Sequence, residues 1–339
     1  MQNDCIAKLW QKKDDNKVQC ELCSHRCLVK TGSRGLCGVR ENRQGQLFSL
    51  NYAKAIAAHL DPIEKKPLYH FLPGSDVFSI ASAGCNFRCN FCQNWQISQI
   101  TKGKDAKIIG EYFPPQEVIS LAIKHQAQSV AYTYTEPTIF FEYAHDTAKL
   151  AQQQNLKNVF VTNGYQTDKA IKLMSGLIDA VNIDLKSFNN DYYQKVCGAS
   201  LKPVLNSISK MFEEGIWVEI TTLVVPGQND SEKELKQIAE FIADIDENIP
   251  WHISRFFPTY KMANSIATPI PTIEKAYQIG KEVGLNFVYV GNVKKDEASN
   301  TYCPQCSSLL IKRTGYMVQN LLEGDTCPQC QTRLRGIFQ

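Results

Sequence analysis

Three cysteines stand at C-x3-C-x2-C spacing in Gly84-Cys85-Asn86-Phe87-Arg88-Cys89-Asn90-Phe91-Cys92-Gln93-Asn94. Three thiolates can hold three irons of a [4Fe-4S] cluster, which ordinarily takes four cysteines. The fourth iron then keeps an open coordination position. An open position is what separates a reactive metal site from a closed structural one. The bland alternative is a zinc knuckle or three buried thiols.

Two further sets have a full complement of sulfur. Cys20, Cys23, Cys27 and Cys37 fall within 18 residues, separated by the turn-rich Thr31-Gly32-Ser33 and Arg34-Gly35-Leu36. Four sulfur ligands favour zinc or an iron–sulfur cluster, and spacing does not choose between them. A structural metal is the favoured reading over an electron-relay cluster; His25 could replace one cysteine but reads better as an exposed histidine or one supporting the ligands. Near the C-terminus, Cys303-Pro304-Gln305-Cys306 and Cys327-Pro328-Gln329-Cys330 are separated by twenty residues. That spacing is the signature of a four-cysteine zinc ribbon. Lys312, Arg313, Arg333 and Arg335 give it a modestly basic look, compatible with RNA, DNA or protein. Of thirteen cysteines, only Cys5 and Cys197 stand outside these sets. Cys197 reads as a small buried hydrophobe, with a redox-active thiol as the alternative.

The elements that must position the cysteines follow a regular alternation. Short β-branched or aromatic runs predict strands at Val77–Ala81, Ser129–Thr135, Asn158–Thr162, Ala180–Leu185, Trp217–Val225, His252–Phe257 and Asn286–Val290. Amphipathic segments predict helices at Pro115–His125, Thr138–Gln153, Thr167–Leu177, Pro203–Glu214, Ser231–Ile245 and Pro271–Val283. Repeated β-then-α units imply parallel strands. The expected fold class is α/β, a partial (β/α)6-type TIM-like barrel, with a doubly wound sheet as runner-up. Glu136, Asn163, Asp184, Lys186 and Arg255 all fall at strand C-terminal ends, where a β/α barrel carries its active site. The cysteine loop follows the first of these strands.

The expected organisation is a four-cysteine segment (residues 1–45), a connecting region (46–76), the barrel (77–295) and the ribbon (296–339), with Asp296–Thr301 as linker. In the connecting region Pro62, Pro67 and Pro73 argue against a long helix. Its titratable run Asp61-Pro62-Ile63-Glu64-Lys65-Lys66 suits a functional or a packed loop equally.

Apolar content of 43% and charged content of 21% are those of a globular protein. Net charge is only +3, too little to argue for nucleic acid. The first 50 residues carry nine Lys/Arg against five Asp/Glu, which reads as a solvated face. No apolar run approaches the length of a membrane span, and the N-terminus has no signal-peptide core. A cytoplasmic protein is expected, without membrane contact.

The cysteine triad, with Phe91 before its last member, resembles the radical S-adenosylmethionine (SAM) superfamily. The chain is similar to enzymes related to pyruvate formate-lyase activating enzyme, and most of all to the AmmeMemoRadiSam-system branch. The likeness runs end to end: Cys37-Gly38-Val39-Arg40, Asp61 to Phe71, Gly84 to Asn94, Tyr132-Thr133-Tyr134-Thr135-Glu136-Pro137-Thr138, Val181 to Lys186, Leu223 to Asp230, and the cysteine-rich tail. It implies that Cys85, Cys89 and Cys92 bind a [4Fe-4S] cluster whose open iron takes SAM. Tyr134-Thr135-Glu136 stands where the superfamily's Gly-Gly-Glu receives the SAM amino group, and both glycines are absent here. Asn163 corresponds to a segment near the SAM ribose, and Asp184 and Lys186 to an Asp-Leu-Lys motif linked to a monovalent cation and SAM.

The resemblance further implies reductive cleavage of SAM to a 5′-deoxyadenosyl radical that takes hydrogen from a substrate, with RNA one candidate. A flavodoxin- or ferredoxin-like electron donor would be needed, and AMMECR-like and Memo-like proteins would be partners. Two alternatives stand beside it. A glycyl-radical activase is disfavoured by the N-terminal cysteine set, which is no ferredoxin-like insertion after the triad, and by Glu219, where an arginine is expected. A non-enzymatic zinc-binding interaction protein would hold no iron.

Overall fold

Strands buried on both faces need long apolar runs, and such runs build the centre of the molecule. A computed structural model describes residues 5–293 and 297–339. The expectations placed on residues 1–4 and on Asp296 lie outside them. The central sheet contains β1 (Ala57–Pro62), β2 (Asp76–Ala81), β3 (Ser129–Tyr132), β4 (Lys157–Thr162), β5 (Ala180–Asp184), β6 (Trp217–Val224), β7 (Trp251–Arg255) and β8 (Val288–Gly291). Seven of these are the predicted strands, within a few residues at their ends.

The strands lie in sequential order from β1 to β8. β2 to β8 are all parallel, and β1 pairs antiparallel with β2 through Asp61↔Val77 and His59↔Ser79. A doubly wound sheet reverses its strand order at a switch point. This one never does, so the sheet curls as a partial barrel and the runner-up is excluded. β1 and β8 are its two unjoined edges.

Six helices connect the parallel strands: α1 (Pro115–Lys124), α2 (Phe141–Gln153), α3 (Asp168–Met174), α4 (Leu201–Glu213), α5 (Glu232–Ile245) and α6 (Ile270–Val283). Pro115 opens α1 where its missing N–H costs nothing. Ser231 caps α5 by accepting from the Glu234 N–H at 3.3 Å. The Ser231-Glu232-Lys233-Glu234 pattern would also allow Glu234 to return a bond to the Ser231 N–H. Glu234 instead accepts from Phe188 N at 2.9 Å and from the Ser187 hydroxyl, tying α5 to the end of β5.

The connecting region is a packed plug, not a loose loop, and it supplies the unpredicted strand β1. Ile63, Leu68, Phe71 and Leu72 pack against Val77, Ala131, Val159 and Ala180, closing the barrel at the N-terminal ends of its strands. Asp61 pairs with Lys65 at 2.7 Å and Lys66 at 2.6 Å. Burial lowers the Lys66 pKa to about 8 despite that carboxylate.

The terminal modules are small sheets. Trp10–Lys12, Val18–Cys20 and Leu28–Val29 form one beside the N-terminal cysteines. The hairpin Arg40–Arg43/Gln46–Ser49 straddles the boundary expected at 45/46. In the ribbon, Leu309–Thr314 pairs with Met317–Asn320 as a hairpin. The described part of the expected linker is a short turn, Glu297–Ser299, leading into a strand whose Thr301 is fully buried.

Candidate radical SAM site

The triad loop leaves the C-terminal end of β2 and is held by close backbone contacts. Gly84 has φ +110°, and a Cβ there would lie 2.9 Å from Thr101 Oγ1 and 3.2 Å from Val39, so only glycine serves. Arg88 N and Asn90 N donate to the carbonyls of Cys197 and Val196. The Phe87 N–H donates to Cys85 Sγ at 3.3 Å, and Ser98 Oγ lies 3.2 Å from Cys92 Sγ. Burial pushes the Cys85 and Cys92 thiols above their ordinary pKa. Cys89 is raised by its hydrogen bond to Cys197, then by burial. A bound cation reverses that balance, because ligation deprotonates the thiol.

The ribbon sulfurs have the spacing of a single-ion site. In the ribbon, the sulfurs of Cys303, Cys306, Cys327 and Cys330 all lie within 4.8 Å of one another. A tetrahedral zinc with Zn–S of about 2.3 Å puts its sulfurs about 3.8 Å apart. The ribbon pairs Cys303–Cys330 at 3.5 Å and Cys306–Cys327 at 3.7 Å match. The triad offers three sulfurs where the ribbon offers four, which leaves one iron of a four-iron cluster without a cysteine.

Around the triad stand most of the predicted groups. Asn163 Nδ2 donates to Asn86 Oδ1 at 2.7 Å and lies 3.9 Å from Cys85 Sγ. Lys186 Nζ binds Asp184 at 2.8 Å and sits 5.7 Å from the centre of the Phe91 ring, on the cysteine loop. Burial works against the Lys186 charge, but Asp184 and the thiols of Cys89 and Cys197 raise its pKa. The Lys186 N–H donates to Tyr193 Oη and its carbonyl accepts from Asn229, which fixes the backbone of the motif.

Glu136 is differently placed from what its expected role requires. Its carboxylate is 1% exposed and accepts from Thr138 N at 3.0 Å, Thr138 Oγ1 at 2.5 Å, Thr162 Oγ1 at 2.7 Å and Asn163 N at 2.8 Å. It braces the end of β4 and positions Asn163. Tyr134, two residues earlier, has φ +60°, a left-handed conformation natural to glycine and costly for an aromatic residue. A left-handed backbone therefore stands two residues before Glu136 although no glycine is there. The Tyr134 carbonyl accepts from Asn94 Nδ2 at 2.7 Å, and its hydroxyl donates to Asp61.

Arg255 stands apart. Its Nε donates to Thr268 O at 2.7 Å and its guanidinium lies over Phe257. It lines a separate cavity of about 1160 Å³ with Phe257, Tyr277 and Tyr302. Conversely, Cys197 belongs beside the triad, at the end of a wide helical turn, Tyr193–Cys197, closed by Gly198 at φ +70°. Nothing in its sequence neighbourhood announces that position.

Residues 79–242 match the family model described as the radical SAM superfamily. A protein of Methanocaldococcus jannaschii, itself uncharacterized, is 44% identical over 91% of each chain. The chain belongs to the radical SAM superfamily. Pyruvate formate-lyase 1-activating enzyme of Escherichia coli is 24% identical over 50% of this chain and 71% of that one. The structure of a radical SAM methyltransferase from Sphaerobacter thermophilus shares the fold, with a TM-score of 0.52 and 13% identity over 65% of this chain and 67% of the other. Superfamily members are enzymes that use a [4Fe-4S] cluster and SAM and draw an electron from a reductant such as flavodoxin or ferredoxin. No helix among the described residues is long and apolar enough to cross a membrane.

Proposed function

We propose that this chain carries out reductive cleavage of SAM at a cluster held by Cys85, Cys89 and Cys92. The observation that carries the reading is the three-cysteine loop at the strand end that also presents Asn163, Asp184 and Lys186. When bound, the cluster and SAM supply C–S bond cleavage and a 5′-deoxyadenosyl radical that abstracts hydrogen. The protein's part is placement. Asn163 and Asn86 fix the approach to Cys85, Lys186 places a positive charge beside the loop, and the packed barrel excludes water. The saturated Glu136 carboxylate acts as a brace, so a SAM amino group is left to Asp184, 35% exposed at its side chain, or to the strained Tyr134 backbone.

Two placements bear on the substrate class. Arg313 is fully buried, Arg335 pairs with Asp246 at 3.4 Å and Arg333 with Asp325 at 2.5 Å. Only Arg313 is withdrawn from the surface; Lys312, Arg333 and Arg335 stay exposed, so the ribbon keeps a modest basic face compatible with RNA. Glu219 lies at the plugged end of the barrel, where it accepts from Tyr69 N and His70 N. Its acidic character thus no longer argues against hydrogen abstraction from a protein glycine, and the relatedness to an activating enzyme favours that second reading. The motif set assigned above to the AmmeMemoRadiSam branch supports AMMECR-like and Memo-like partners. The ribbon is proposed as a structural zinc site.

Cys89→Ala tests the reading. With dithionite and SAM under anaerobic conditions, it should form no 5′-deoxyadenosine while its circular dichroism and melting stay near wild type. Full SAM cleavage by the variant would sink the assignment.

A further inference from the structure

A cleft of about 300 Å³ lies between the N-terminal cysteine segment and the triad loop. Arg34 enters it from the first, Arg88 from the second and Lys102 from the stretch that follows the triad. His25 is the one further titratable group on its walls, and no Asp or Glu lines it. Arg34 pairs with Glu41 at 3.1 Å, outside the cleft. Arg88 is exposed and lies across Gly198, where a Cβ would collide with its side chain. Lys102 Nζ donates to the Phe87 carbonyl and to Gln99 Oε1. Neither Arg88 nor Lys102 meets a carboxylate among the described residues. Leu36, on the same wall, is 58% exposed.

The cleft backs directly onto the triad. Asn86 and Arg88, both on its walls, stand between Cys85 and Cys89 in the chain. Burial lowers the Lys102 pKa, and the thiols of Cys85, Cys37, Cys89 and Cys92 are what hold it up. The floor is a fixed seam: His25 Nε2 lies 2.9 Å from the Asn86 carbonyl, and Thr101 Oγ1 donates to the Cys37 carbonyl at 2.8 Å. None of Asn163, Asp184 and Lys186 lines it, so a partner seated here need not obstruct the groups that face SAM. Like charges gathered without a counter-charge repel one another and attract an acidic surface. Electron-transfer encounters are small and transient, and opposite charge steers them. An exposed leucine among cations offers both the apolar contact and the polar rim of such an interface.

We propose that this cleft is the docking site of an acidic one-electron carrier protein, with Arg34, Arg88 and Lys102 meeting its carboxylates and Leu36 its apolar contact. The inference rests on the reading of the triad as a reducible cluster site. In each encounter the carrier is oxidised by one electron and the triad site is reduced by one, and no covalent bond is made or broken. Part of the basic excess that composition reads as a solvated face thus meets a partner.

The test uses the full chain, reconstituted anaerobically, with an acidic flavodoxin as probe. Wild-type affinity for flavodoxin should fall as salt rises. Arg34→Glu/Arg88→Glu should weaken that affinity by about tenfold or more at low salt and flatten its salt dependence. Flavodoxin-driven formation of 5′-deoxyadenosine should fall in step, through a higher KM for flavodoxin, while the dithionite-driven rate stays within about twofold of wild type. If the charge reversal does not fold, Arg34→Gln/Arg88→Gln decides, with binding weakened by about threefold. Unchanged flavodoxin affinity in the folded variant would overturn the proposal. So would loss of affinity for an RNA oligonucleotide with flavodoxin binding intact, which would give the cleft to RNA. Failure of the triad reading looks different: wild type would then make no 5′-deoxyadenosine with dithionite, and the binding titration would still decide the cleft.

Discussion

The N-terminal cysteine segment and the C-terminal ribbon each carry four sulfurs, yet they are attached to opposite ends of the same barrel. The N-terminal segment grips the strand ends that carry the triad, through Cys23↔Gln166, Thr167, Asn86 and Thr101. The ribbon grips the plugged end, where Leu72 N donates to the Ile337 carbonyl at 2.6 Å and His70 bridges the Arg335 carbonyl and Tyr289 Oη. One four-sulfur set lies against the reactive loop, and the other sits at the far end of the barrel. Cysteine number is therefore a poor guide to role, and the end of the barrel a module occupies is a better one.

Ribbon metal removal should give the largest effect. Structural zinc in small modules contributes about 10–16 kcal/mol of binding free energy that is also folding free energy. Cys306→Ala should lose the metal and expose the Leu309–Asn320 hairpin to rapid amide exchange, while SAM cleavage persists. Loss of cleavage in an otherwise folded variant would break the division between the two ends.

Next comes the anchor beneath the ribbon. Glu219 is fully buried and accepts from Tyr69 N, His70 N, Trp217 Nε1 and His252 Nε2 at 2.6–3.0 Å. Glu219→Ala leaves these donors stranded and should cost about 3–5 kcal/mol in urea unfolding. A loss under about 1 kcal/mol would mean that the plug does not carry the ribbon.

The same anchor makes stability pH-dependent. Burial lowers the His70 pKa from the ordinary 6.5 to about 4. The unfolded chain binds that proton more readily between those values, so stability rises with pH across the window and falls on acidification from 6.5 toward 4. The loss is on the order of 3 kcal/mol at 1.36 kcal/mol per unit. Denaturant midpoints at pH 7 and pH 4 span it, and His70→Gln should flatten the difference.

The smallest effect belongs to the seam of the N-terminal segment. Thr167 caps α3 by accepting from Ala170 N at 3.3 Å and donates to the Glu21 carbonyl at 2.7 Å. Thr167→Ala should cost about 1 kcal/mol of stability. A loss above about 3 kcal/mol would show that this seam holds the whole N-terminal segment in place.

The parallel strands were legible because each is buried on both faces and so reads as a continuous apolar run. β1 was not. Ala57-Ala58-His59-Leu60-Asp61-Pro62 is an edge strand, exposed through its middle and ended by a proline. The cysteine sets could be found by spacing, but their separation in space could not, since it depends on how loops pack. Glu136 sat in the right segment, and its saturation by Thr138, Thr162 and Asn163 became visible only once β4 was placed beside it. Cys197 gave no signal at all, because its neighbour in space is more than a hundred residues away in sequence. Of the ribbon's basic residues, only Arg313 departs from the surface that its charge suggests: it is fully buried over Tyr69, a burial that composition does not reveal.

The close sulfur pairs of the ribbon have a practical consequence for anyone handling the protein. Cys306 is exposed, and Ser308 lowers the Cys327 pKa to about 6, so the metal-free ribbon would present ready thiolates to air. Pairs 3.5 Å and 3.7 Å apart need little movement to become disulfides. Stripped of metal and left in oxygen, this module should lock into a cross-linked form that iron reconstitution does not undo. Chelators used to clean a preparation would then do lasting harm at the end of the molecule where no reaction takes place.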